Sequence, residues 1–282
     1  LKHLEQIDNV VYHNLGSAIF YILIYNIYLV IYMMENISTE RILNRLDELL
    51  SRNDYASAEE HILYWIGEAE RIYDNRTKLL LLNELAGLYR KLAKEKEALK
   101  TVETLLNLVT DMKIENNIGA ATTYINCATV FKAFSKAEEA LPLFNKAQHI
   151  YETELEVDDE RFGALYNNMA LALVDLKRFD EAFELYEKAL SVMNKSDNGL
   201  LEVAITYLNI ASLKEVELGI ENSTEIINDY LQKAMKLLDE HETRDGYYAF
   251  VCEKCASVFD YYGHFIYYQD LLERAREIYE RS

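Results

Sequence analysis

Glycine and proline are scarce in this sequence, 9 and 1 among 282 residues. Together they make up roughly 3–4% of the chain, against about 12% in average usage. Many-stranded sheets need turn-formers, and phosphate-cradling loops need glycines for close backbone approach, so both are disfavoured. Cysteine is equally sparse. Cys127, Cys252 and Cys255 are too few for a disulfide framework and point to a reducing compartment, so the cytoplasm is the expected location. Cations are in deficit as well: Lys plus Arg number 29 against 48 Asp plus Glu, a formal net charge of −19. A nucleic-acid backbone is bound by clustered cations that displace counterions, and anionic lipid attracts the same surplus. Neither partner suits this balance. What the chain has in quantity is apolar surface: 50% of its residues are hydrophobic, enough for a substantial core. Such a composition predicts an all-α fold.

Residues 15–34 (LGSAIFYILIYNIYLVIYMM) are nearly all apolar or aromatic, about the length that spans a bilayer. A membrane anchor is one reading, although Asn26 sits mid-span and flanking charge is sparse. A secretory signal fits less well, because Lys2 is the only strong cation before the stretch and no small-residue cleavage site follows. A third reading is an apolar helix packed on the body. The fourth is a mis-called extension, with translation starting at Met34: MENISTERILNRLDELL opens like a natural N-terminus, with Ser38 or Thr39 capping an amphipathic helix. The expected organisation is an apolar segment over 1–34 and a helical domain over 35–282.

Self-similarity is the main signal beyond composition. Ala86, Ala128, Ala170, Ala211 and Ala256 follow one another at intervals of 42, 42, 41 and 45. Three positions later stand Tyr89, Phe131, Leu173 and Phe259, with Lys214 breaking the column. Twelve positions after the first three alanines come Ala98, Ala140 and Ala182, followed four later by Val102, Phe144 and Tyr186. Intervals of 3, 4 and 7 share one face of a helix, so each unit holds two amphipathic helices. The alanines let the helices approach, and the rings fill the space beside them. One such hairpin cannot bury its apolar face alone, so copies must stack.

The best copy is LYNNMALALVDLKRFDEAFELYEKAL from Leu165 to Leu190, and the next is TYINCATVFKAFSKAEEALPLFNKAQ from Thr123 to Gln148. The pattern resembles the tetratricopeptide repeat, in the longer-period form of kinesin light chains, with Asn-Asn-x-Ala at Asn167–Ala170 and Leu-Pro-Leu at Leu141–Leu143. Weaker copies occupy Glu40–Tyr73, Leu79–Met112, Ala204–Glu240 and Tyr247–Arg281. Pro142 is expected in the early part of its helix, where a missing donor costs least. The resemblance implies a right-handed superhelix, an α-solenoid of about six helix pairs, and a non-enzymatic role in holding a protein or peptide in its concave groove. Two residues before each small alanine lies a polar column of Asn126, Asn168 and Asn209, with Glu84 and Lys254 in outer copies. By resemblance this column faces the groove, together with Asn167, Lys91, Lys132 and Asp175. An Asn amide donates and accepts, so it can read a peptide bond without demanding a side chain. Alternatively the asparagines bond neighbouring helices and hold the stack. Glu84 occupies the column where the family's clamp for terminal carboxylates would need Asn, so that clamp is not expected. The acidic balance favours a basic or mixed-charge partner segment.

Nothing in the sequence assigns a catalytic, cofactor or metal-binding residue. Cys252-x-x-Cys255 has no strand before it and no second pair, so packing is the expectation. The six histidines are scattered, and the acidic run over 152–160 lacks calcium-loop spacing and reads as a solvated loop. Nine rings crowd the last copy between Tyr247 and Tyr268. They form either a thick final layer or a surface for a partner or a second copy, carried by Tyr247, Tyr248, Tyr261, Tyr262, Tyr267 and Tyr268. Two other roles stay open: a peptide-sensing regulator of the bacterial helical-repeat receptor type, and a membrane-tethered scaffold if residues 15–34 are translated.

Overall fold

A computed structural model describes residues 38–193 and 197–281. The apolar stretch over 15–34 and the 34/35 boundary lie outside the described residues. Among those described, twelve helices and no strand occur. They are α1 Thr39–Ser51, α2 Tyr55–Arg71, α3 Asn75–Lys91, α4 Glu95–Asp111, α5 Ile118–Ala133 and α6 Ala137–Glu154. The remainder are α7 Arg161–Asp175, α8 Phe179–Met193, α9 Asp197–Leu218, α10 Ile220–Glu240, α11 Gly246–Tyr261 and α12 Phe265–Tyr279. In chain order they number enough for the six expected pairs.

The turns are short and mostly of one kind, and glycine is not what makes them. Asn53, Tyr73, Ala93, Lys113, Ser135 and Lys177 all take φ between 53° and 59°, and Gly263 takes 82°. A left-handed residue just past a helix lets the chain fold back and satisfy the last carbonyls. At the α7–α8 turn, Lys177 N–H donates to Val174 O at 2.9 Å and Arg178 N–H to Leu173 O at 2.9 Å. The same two-bond pattern closes the α5–α6 turn, through Ser135 to Lys132 and Lys136 to Phe131. Side-chain caps start several helices: Asn117 accepts from Ala120 N–H at 2.8 Å, and Asp245 from Tyr247 and Tyr248 N–H.

Contacts divide the chain into two compact units, with the division between Leu85 and Ala86 inside α3. In the first, α1 packs on α2. Ile42, Leu46 and Leu49, spaced by 4 and 3 on one face, are buried, as are Ala58, Ile62, Ile66 and Ala69 of α2.

In the second unit the hairpins α5/α6, α7/α8, α9/α10 and α11/α12 stack in order. Second helices also touch the next first helix, α6 on α7 and α8 on α9. The first helices touch one another in turn, α5 to α7, α7 to α9 and α9 to α11, and so form a continuous layer. The small-residue columns sit where this close approach requires them: Ala98, Ala128, Ala140, Ala170, Ala182, Ala211 and Ala256 are completely buried. Phe144, Tyr186 and Phe259 fill the space beside them, equally buried. One contact is closer still. A Cβ at Gly163 on α7 would lie 2.5 Å from Met193 Cγ on α8, so only glycine leaves room for that side chain.

Pro142 departs from expectation. It is the sixth residue of α6 and falls in the second turn, beyond the positions whose donors are free anyway. The carbonyl deprived of a helical partner belongs to Glu138, an exposed residue.

Candidate functional site

The layer of first helices sets out the polar column. Asn126 on α5, Asn168 on α7 and Asn209 on α9 are each half-buried, at matching positions of consecutive touching helices. One helical turn to either side stand Thr122 and Thr129, Ala164 and Leu171, and Ser212. The column therefore runs through a strip of uncharged side chains in a protein of net charge −19. Asn168 Nδ2 donates to Ala164 O of its own helix at 2.9 Å. That bond fixes the amide and leaves Oδ1 to accept from elsewhere.

Asn167 does not belong to this face. It is 7% exposed, and its Nδ2 donates to Thr206 Oγ1 on α9 at 2.8 Å and approaches Met193 Sδ on α8 at 3.8 Å. Neighbouring residues on a helix point about 100° apart. Asn168 is thus turned outward while Asn167 is turned into the stack. The stack-holding role weighed for the asparagine column falls to Asn167, and its inclusion among groove residues is corrected.

Charged candidates lie at the edges. Lys132 Nζ, at the end of α5, is 3.9 Å from Asp175 Oδ2 at the end of α7, so the structure brings these two together as a loose ion pair. Lys91 is exposed in the last turn of α3 and belongs to the second unit. Glu84 belongs to the first unit and is half-buried. Burial, and then the charge of Asp47, hold its carboxyl above the ordinary glutamate value.

The terminal rings bond to carboxylates and backbone more than they face solvent. Tyr248 is 0% exposed and stacked on His241, its hydroxyl donating to Leu238 O at 3.0 Å and accepting from Arg274 Nη1 at 3.1 Å. It is withdrawn from the surface set, because its phenol is consumed inside the last layer. Tyr247 hydroxyl bonds the Glu202 carboxylate on α9. Tyr267, half-buried, bonds Asp239 Oδ1 at 2.9 Å and packs edge-on against Phe259. Tyr268 is half-buried against the same core. Burial first, and then the carboxylate bond, push the phenols of Tyr262 and Tyr267 above the ordinary tyrosine value. Tyr261 and Tyr262 donate to the two oxygens of Glu215 at 2.7 and 2.8 Å. Of the six tyrosines only Tyr261, 70% exposed, is mainly in solvent.

Glu215 is a residue sequence reasoning missed. It lies in the weaker copy Ala204–Glu240, four residues before Gly219, and a glycine in a sequence so poor in them is the signal that could have drawn attention to this turn. The three cysteines are buried and unpaired, as packing predicts. Burial pushes the thiols of Cys127 and Cys255 up to about 12 and that of Cys252 up to about 11. Among the described residues no cluster of three or more His, Cys, Asp or Glu could hold a metal. Among them, too, no helix is long and apolar enough to cross a membrane. The acidic loop is partly tied down, with Arg161 bonded through two nitrogens to Asp159.

The pattern of the tetratricopeptide repeat matches residues 77–153 and 161–219. A search among curated proteins finds no match. Several solved structures are similar. BtubC (BKLC) from P. vanneervenii is 19% identical with a TM-score of 0.62, over 72% of this chain and 82% of that one. The TPR-like repeats assigned to a kinesin light chain of Podosopora anserina are 16% identical at 0.50, over 72% and 96%. The quorum sensor NprR from B. thuringiensis, in its apo form, is 15% identical at 0.52, over 90% and 70%. At such identities the likeness is one of fold.

Proposed function

Since the chain belongs to the tetratricopeptide-repeat family, we propose that it is a non-enzymatic scaffold holding an extended protein segment along the face of α5, α7 and α9. The observation that carries this reading is the asparagine column: three amides in register on touching helices, half-exposed, in an uncharged strip. Amides at a regular interval suit the repeating donors and acceptors of an extended backbone. The surrounding acidity favours a basic or mixed-charge segment, by attraction over several ångströms rather than by contact. Buried, unpaired thiols suit a cytoplasmic setting.

The test is capture of partners from source-cell lysate by the full chain, beside an Asn126→Ala, Asn168→Ala, Asn209→Ala variant shown to melt at the same temperature. A partner held by the parent and lost by the variant supports the assignment. Equal capture by both overturns it, and a variant that unfolds makes the column structural. The likeness to NprR spans 90% of this chain and favours a second reading, a sensor of short peptides. Under that reading the captured species is a free peptide of low mass rather than a segment of a protein.

A further inference from the structure

A second docking place, separate from the asparagine column, lies at the hairpin tips of the last two pairs. A cleft of about 590 Å³ opens between the α9–α10 turn and the α11–α12 turn. Ile227, Ile220, Thr224, Tyr261, Tyr262 and Glu215 line it. Ile227 is buried and forms an apolar floor, while Ile220 and Tyr261 are 50% and 70% exposed at the rim. Val216, adjoining Glu215 on α9, is 57% exposed. Bulky apolar side chains left in water around a cleft mark a contact surface rather than a solvated edge.

The one charged group in the lining is Glu215. Its oxygens accept from the hydroxyls of Tyr261 and Tyr262, on the opposite wall, at 2.7 and 2.8 Å. A carboxylate has about four lone-pair sites, so two bonds orient it and leave capacity for further donors. Both donors here are neutral, and the charge remains. The adjacent cation, Lys214, is engaged elsewhere, with Nζ 2.7 Å from Glu217 and over the Phe183 ring. A partner cation meeting this carboxylate between apolar walls forms a charge-assisted bond in reduced dielectric.

From this geometry we infer that the cleft takes a protein segment presenting an Arg or Lys side chain flanked by bulky apolar residues. The cation meets Glu215, and its apolar neighbours cover Val216, Ile220 and Tyr261. A second copy of the chain is disfavoured as occupant by mutual repulsion at net charge −19 each.

Random peptides displayed on phage and selected on the full chain test this directly. Enriched sequences should carry Arg or Lys beside large apolar residues, and synthetic versions should bind the full chain. Binding should weaken by about tenfold or more in Glu215→Gln, in line with the loss of a charge-assisted bond. It should be lost in Ile220→Asp and Val216→Asp, exposed positions where the fold tolerates the change. The triple asparagine variant should bind these peptides unchanged, which separates this site from the proposed groove. Enriched peptides without a cation, undiminished binding by Glu215→Gln, or no enrichment at all would overturn the inference. So would loss of binding in the asparagine variant alone, or a dimer that Ile220→Asp disperses.

Discussion

Placing glycine where the chain already turns left-handed should stabilise a protein that uses glycine so sparingly. Ala93, Ser135 and Lys177 hold φ of 53°, 59° and 59° in the second unit, and all three side chains are exposed. An L-residue in that region costs roughly 1–2 kcal/mol against the ordinary helical region, a penalty glycine avoids. Glycine loosens the unfolded chain by about 0.4–1 kcal/mol, which offsets part of the gain. The net is about 0.5–1 kcal/mol per site, or about 2 kcal/mol for Ala93→Gly, Ser135→Gly and Lys177→Gly combined, if distinct turns add. For a domain of this size each kcal/mol moves the melting temperature by about 2–4 °C, so scanning calorimetry should show a rise of about 4–8 °C. Gly263→Ala supplies the mirror experiment. Its φ is 82° and an added Cβ would meet nothing within 4 Å, so any loss there is backbone strain alone. The expected fall is about 2–4 °C, from a cost of roughly 1 kcal/mol. A triple-glycine protein melting no higher than the parent, with Gly263→Ala unchanged, would refute the assignment of strain to these turns.

Asn167→Ala removes a buried bond to Thr206 and leaves a small void, so urea unfolding should show a loss of about 1–3 kcal/mol, while Asn168→Ala changes stability by less than about 0.5 kcal/mol. Arg274, bonded to Asp239, Asp270 and Tyr248, joins α12 to its neighbours. Arg274→Ala should cost about 2–3 kcal/mol and raise hydrogen exchange in α11 and α12 before other helices. The thiols, pushed up to about 12, 11 and 12, should ignore a disulfide reagent at pH 8 until the protein unfolds. Because these folded values lie above the unfolded thiol value of about 8.5, the stability they contribute is complete below that pH. It is then lost as pH rises through 11–12, which an alkaline melting series would show.

The repeat was legible because its packing obeys a period: an alanine recurring every 42 residues leaves a mark that needs no structure to see. The pairs, their order and their buried columns followed from it. Finer detail was legible only where it shared that period. Asn126, Asn168 and Asn209 stood out as a column, yet Asn167 could not be told from Asn168, since one position along a helix decides between core and surface. The tyrosines were ambiguous for a related reason. A phenol looks like an exposed ring in a string of letters, whereas Tyr248 and Tyr267 find acceptors on α10, 10 and 28 residues away. Glu215 was invisible because its partners are two hydroxyls 46 and 47 residues away. Left-handed turns without glycine were equally hidden, since Lys177 or Ser135 carries no propensity for that conformation.

Among the described residues, each hairpin of the second unit packs on the pairs beside it. Under tension applied at its two ends, such an array has no cross-link that makes it yield all at once. It should peel pair by pair, giving a sawtooth of similar extensions in a force trace. With a repeat of 42 residues, each release adds a contour length of roughly 140 Å. A segment bound across α5, α7 and α9 would splice three of those links into one, and the trace would then show a single longer step at higher force.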